Sequence, residues 1–232
     1  MRIVDSVAKA ISDWQIGDSE SAMMHACNAV NGTATKAYKG LGDRAAFTTL
    51  LRDNYAILGP MGLPGMDVEK TLFGVDLQKA SHEIREFDLA DVIYKIHRCS
   101  HGHGDELLKG FELIPDAAGP HGTTHFIANI VDGTVQLSDR VIFAMLGVVV
   151  FSPVNASQKS DFGYYLTYND GVQLPINEWW GRADDFLKIV ADAPCTSLVI
   201  YEFASDDPVR AIARASAKFH IKISEKPEET KD

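Results

Sequence analysis

The chain has 232 residues, 46% of them hydrophobic, with a formal net charge of −10 and a pI near 5.2. Such length and apolar content suit one large domain or two small ones with a sizeable core. The acidic balance argues against broad nonspecific binding to nucleic acid, which needs a basic surface, while leaving room for a local basic groove.

The three cysteines, Cys27, Cys99 and Cys195, are odd in number and widely spaced. No disulfide framework is implied, and a reducing cytoplasm is the expected setting. Asp5 follows the initial residues at once and no long apolar run comes after it, unlike a secretory leader. The longest apolar run, residues 141–151, is shorter than the roughly 20 residues that cross a bilayer, so no membrane association is expected.

The first half reads as helical. Asp18 is placed to cap a helix reaching about Tyr38, along which Met23, Ala26, Cys27, Val30 and Ala34 recur at helical spacing. These side chains are mostly small, which predicts close packing against a neighbouring helix and suits a dimer seam. Gly40 and Gly42 end that helix. Asp43 is expected to cap the next, with Phe47, Leu50, Leu51 and Leu58 on its apolar face and Gly59-Pro60 as its stop. Residues 59–76 read as an irregular connection. A third helix is predicted over about residues 87–99, with Leu89, Val92, Ile93 and Ile96 on one face; Gly102 and Gly104 disfavour continuation much past Ser100.

After Gly110 the texture changes. Residues 111–114 and 125–131 have strand composition, and Asp132-Gly133 signals a hairpin into 135–137. Ser138 is expected to cap the apolar run 141–151, whose length suits a buried helix better than a strand. Residues 164–168 and 172–176 flank Asn169-Asp170-Gly171, a second hairpin signal. Asn177 is expected to cap an amphipathic helix with Trp179, Ala183, Phe186, Leu187 and Val190 inward, and 197–203 reads as a strand. The predicted class is α+β. A helical bundle occupies 1–109, a β-hairpin-containing region with a buried helix occupies 110–223, and 224–232 is a charged, frayed tail.

Chemistry concentrates in residues 94–106, where three of the eight histidines, His97, His101 and His103, fall beside Arg98, Cys99 and Ser100. An arginine and a histidine at a helix end suit a phosphodiester. Arginine offers a fork to phosphate oxygens, and histidine titrates nearest neutrality. His97 and His101 are also spaced for Zn or Ni, but Cys99 between them points to a different helical face. His121 and His125 read as turn residues, Cys27 and Cys195 as buried, and Trp179-Trp180 as a core anchor. A thiol at Cys99 beside a charged histidine would be reactive. No Walker loop, dinucleotide-binding glycine fingerprint, Gly-x-Ser-x-Gly, Cys-x-x-Cys or His-Glu-x-x-His occurs.

The string Arg98-Cys99-Ser100-His101-Gly102-His103 fits Arg-x4-His. With the alanine-rich stretch 22–38 before it, it resembles the HEPN superfamily over roughly residues 1–109. The resemblance implies a helical bundle and a metal-independent endoribonuclease that needs no cofactor. Arg98 and His103 would be catalytic, with Ser100, Cys99, His101 and His97 as binding residues around them. It also implies a site assembled across a homodimer, RNA or a nucleotide as ligand, and a cognate antitoxin or regulatory protein as possible partner. In active members the residue after the arginine is usually Asn, Asp or His; here it is Cys99. Two other functions compete: a non-catalytic module binding RNA, a nucleotide or a protein, and a metal-dependent enzyme or sensor built on the His/Cys string.

Overall fold

The computed structural model describes residues 2–76, 84–101, 111–118, 124–131, 134–168, 171–193 and 199–201. The chain opens with α1 (Ile3–Gln15) and α2 (Ser19–Ala37), then α3 (Asp43–Asp53) and α4 (Tyr55–Gly62). A hairpin, β1 (Leu72–Asp76) and β2 (Ile84–Phe87), leads into α5 (Leu89–His101). Strands β3 (Phe111–Ile114), β4 (Ala117–Ala118), β5 (Thr124–His125), β6 (Ala128–Val131) and β7 (Thr134–Ser138) precede α6 (Arg140–Phe151). The rest is a hairpin, β8 (Tyr165–Tyr168) with β9 (Val172–Pro175), then α7 (Ile176–Trp179), α8 (Ala183–Val190) and β10 (Val199–Tyr201). The class is α+β, as the patterning predicts.

Helix α2 is the central element. Its Asp18 cap accepts from the Ser21 N–H at 2.9 Å, and Ala22, Ala26, Cys27, Ala29, Val30 and Ala34 are fully buried. It packs against α1, α3 and α6. The small-residue seam thus packs closely against neighbouring helices, as its spacing predicts, and is buried inside the chain. Helix α6 is the predicted buried helix: Val141, Ile142, Met145, Leu146, Val148, Val149, Val150 and Phe151 are all fully buried. Each such side chain contributes roughly 1.5–3 kcal/mol of burial. It lies so close to α4 that a Cβ on Gly62 would stand 2.6 Å from the Ala144 Cβ.

The C-terminus of α6 illustrates how orphan carbonyls are satisfied. Val149 lacks its usual donor because the residue four ahead is Pro153, which has no N–H. The fully buried Asn155 supplies one instead, donating from Nδ2 to the Val149 carbonyl at 2.9 Å and to Thr33 Oγ1 at 2.9 Å. The Val150 carbonyl accepts from the Gly181 N–H at 2.8 Å. At the other end the cap residue is Asp139, not the expected Ser138, and its side chain makes no capping bond. Ser138, the last residue of β7, accepts from the Arg140 N–H at 3.3 Å.

Five expectations need correction. Asp43 lies within the first turn of α3, whose cap is Gly42. The helix beyond breaks at Asn54, not at Gly59-Pro60, because Asn54 Nδ2 bonds the Leu50 carbonyl at 2.8 Å and displaces the helical ladder. Pro60 then sits inside α4, where the bond it forfeits is that of the exposed Ala56. Residues 59–76 are not wholly irregular, since β1 lies there, paired in parallel with β10 (Leu72 to Val199) and antiparallel with β2. The expected strand 125–131 is split into β5 and β6. Asn177 caps no long helix. It sits in the short α7, where its side chain accepts from the Ser160 N–H at 2.7 Å and donates to the Ser160 carbonyl at 2.9 Å. The amphipathic helix predicted there is interrupted between α7 and α8.

Both predicted hairpins have their flanking strands paired. Val131 pairs with Thr134 around Asp132-Gly133, and Tyr168 pairs with Val172; the turn residues 132–133 and 169–170 lie outside the described residues. Strand β3 adds to β7 in parallel, giving the order β3-β7-β6. One contiguous hydrophobic core runs from Ile3 on α1 to Val190 on α8.

Candidate functional site

Helix α5 begins where its sequence says it should. Asp88 accepts from the Asp91 N–H at 2.9 Å, a side-chain cap, and Leu89, Ala90, Val92 and Ile93 are buried. The opposite stripe faces α3, which runs antiparallel beside it. Arg52, near the end of α3, grips Asp88 through Nε at 2.6 Å and reaches Asp91 at 2.8 Å. Arg44, in the first turn of α3, reaches the other Asp91 oxygen at 2.9 Å. One turn on, Tyr94 Oη donates to Asp43 at 3.3 Å. From beneath, Tyr55 Oη accepts the Ala90 N–H at 2.9 Å.

These contacts set the electrostatics. Burial would push the Asp88 carboxyl up, but the Arg52 guanidinium and the Asp91 N–H outweigh it and hold it below its ordinary value. Arg52 is raised, first by its bond to Asp88. Burial pushes the Tyr55 hydroxyl up. Between α3 and α5 lies an open depression of about 640 Å³, lined by Arg44, Thr48, Arg52, Asp91 and Tyr94 together with Gly42–Ala45.

His97, Arg98, Cys99, Ser100 and His101 occupy the last turns of α5, which reaches His101 and so extends slightly beyond the predicted end. Arg98 and His101 follow Asp91 and Tyr94 along the same helix. His103 and His121 lie outside the described residues, as does Cys195. His125 is on β5, paired with Ala117. Burial pushes the Cys27 thiol up to about 12, which makes it an inert core residue. Trp179 meets Phe151 edge-on at 5.5 Å with Arg182 over its ring, and Trp180 is buried, so the pair anchors the core as predicted. Among the described residues no group of three or more His, Cys, Asp and Glu side chains is placed to hold a metal. Among them, too, no helix is long and apolar enough to cross a membrane.

Two polar clusters escaped the sequence reading. The Arg44–Arg52–Asp88–Asp91 ladder joins residues about forty apart, and only its Asp88 cap is a local signal. At the junction of α1 and α6, Asp116 holds both the Ser138 hydroxyl and the Arg140 guanidinium, and Trp14 Nε1 donates to Asp139 at 3.1 Å. Burial, with Asp116 nearby, raises the Asp139 carboxyl above its ordinary value.

This α+β chain matches the Rv1289 family over residues 2–205 and belongs to it. It is 40% identical over 199 residues to the uncharacterized proteins Rv1289 of Mycobacterium tuberculosis strain H37Rv and Mb1320 of Mycobacterium bovis. Those alignments cover 86% of this chain and 92% of each relative. No solved structure matches it.

Proposed function

We propose that this protein is a HEPN-like, metal-independent endoribonuclease of toxin or defence type, with Arg98 and His103 as its catalytic residues. The observation that carries the reading is the setting of Arg98. It stands on an amphipathic helix described through His101 and riveted to the helical half by Arg44 and Arg52. A helix C-terminus favours the charged forms of arginine and histidine. His103 takes the proton of the ribose 2′-OH, and the freed oxygen attacks the adjacent phosphorus. Arg98 holds the charge that builds on the phosphorane. The bond to the 5′ oxygen breaks, and that oxygen leaves with a proton from a protonated His103 of a second copy. The products are a 2′,3′-cyclic phosphate and a 5′-OH. No metal-bound water enters, because the nucleophile belongs to the RNA.

A labelled-RNA gel assay tests this. Arg98→Ala and His103→Ala should each lower cleavage at least ~100-fold with circular dichroism unchanged, and His101→Ala should have a smaller effect. Cleavage should persist in EDTA, and DNA should resist. Cleavage surviving in both mutants would overturn the assignment. The net charge of −10 and Cys99 after the arginine favour a second reading, a non-catalytic module that binds RNA, a nucleotide or a protein. Wild-type protein that binds RNA without cutting it would put that reading first.

A further inference from the structure

We infer that Arg44 is a substrate-contacting residue that holds a phosphate of the RNA strand next to the scissile one, in the depression between α3 and α5. The inference rests on the ribonuclease reading and extends its site beyond the Arg-x4-His string.

Arg44 and Arg52 line the same depression but are spent differently. Arg52 is committed to two carboxylates, bonding Asp88 through two nitrogens and Asp91 through one of them. Arg44 donates one hydrogen bond, to Asp91, out of the five N–H donors a guanidinium carries. Its side chain is 63% exposed, yet it is oriented, lying 5.7 Å over the Tyr94 ring while Asp91 fixes one end. The neighbouring acids are engaged: Asp88 and Asp91 by the arginines, and Asp43 by Tyr94. An oriented, half-used guanidinium at the mouth of an open groove is a phosphate receptor. Arg98 falls one helical turn beyond Tyr94, about 5–6 Å further along the axis. That step is comparable to the distance from one backbone phosphate to the next, so one strand would span both arginines. Thr48 does not compete for the ligand, because its hydroxyl donates to the Arg44 carbonyl at 2.9 Å.

The experiment uses the full chain and two probes, a labelled single-stranded RNA and its 2′-O-methyl counterpart, which cannot be cut through the 2′ oxygen. Affinity for the second is measured by fluorescence anisotropy over a salt series, and steady-state cleavage of the first is followed by gel. Arg44→Ala should weaken binding about 10-fold and flatten the salt slope by about 0.7, raising KM with kcat nearly unchanged. Arg44→Lys should restore the slope and part of the affinity. Arg52→Gln should change the slope less than Arg44→Ala, since three of its five donors are already bonded to Asp88 and Asp91. Arg44→Ala that cuts RNA with wild-type KM and salt slope overturns the inference and leaves the nuclease standing. Wild type that never cuts, but whose 2′-O-methyl binding falls with Arg44→Ala, removes the nuclease and keeps the phosphate contact. Wild type that binds neither probe overturns the inference outright.

Discussion

At the scale of single residues, Asp139 and Gly181 give the sharpest tests. Asp139 is pushed above its ordinary value of 3.8 by burial, despite the Trp14 bond and the nearby Arg140. A carboxyl whose folded-state value is raised favours the native state most below its unfolded value. That stability is lost as pH rises through the folded value. Asp139→Asn removes the titration while keeping an oxygen for Trp14. The variant should therefore match or exceed wild type at pH 7, with the difference shrinking as pH falls toward 4. Urea midpoints across pH measure it, and a variant weaker than wild type at neutral pH would contradict the sign. Gly181 has φ +80, and a Cβ there would lie 2.5 Å from the Ala156 Cβ. Gly17 has φ +83 with nothing within 4 Å. Both alanine variants carry a left-handed backbone cost of about 1–2 kcal/mol. Only Gly181→Ala adds overpacking of about 1–3 kcal/mol. Denaturation of the two variants side by side isolates the clash, and equal losses would deny it.

At the scale of elements, the end of α6 depends on one side chain. Asn155→Ala would leave the Val149 carbonyl and Thr33 Oγ1 without their buried donor, at an expected cost of about 2–4 kcal/mol in urea unfolding. A loss under ~0.5 kcal/mol would mean that water or Lys36, 3.5 Å from Asn155 Oδ1, takes over. The elements read correctly from sequence are those whose signals are local. Asp18 with the alanines of α2, the apolar run of α6, and the paired strands β6–β7 and β8–β9 each state their structure within a few residues. The misses have competing or distant causes. Helix α1 has Arg2 as its cap residue and no capping side chain, so its apolar spacing lacked a start signal. The α3–α4 break is set by the Asn54 side chain turning back on the Leu50 carbonyl. The parallel pairing of β1 with β10 joins Leu72 to Val199, beyond the reach of any local pattern. Of the site, the helix carrying Arg98 was legible from its periodicity, whereas Arg44 was not, because its role depends on the packing of α3 against α5.

At the scale of the whole molecule, the composite-site mechanism needs two copies. The seam once available for pairing, the alanine face of α2, is consumed by α1, α3 and α6. Under the proposed mechanism the dimer would form elsewhere and bring the C-terminal turns of two α5 helices together. In the connection between α2 and α3, two residues before the Asp43 that meets Tyr94 of α5, Leu41 is 49% exposed, an apolar surface available to a second copy. The expected species at micromolar concentration is twice the 25.4 kDa of the chain, by light scattering or sedimentation. If His103 of one copy serves the site of the other, specific activity per chain should fall on dilution below the dissociation constant and recover on concentration. Leu41→Glu should shift both curves to higher protein concentration without changing the circular dichroism of the monomer. A monomer that cleaves with undiminished specific activity at every concentration would remove the two-copy mechanism and leave each chain to supply both its own base and its own acid.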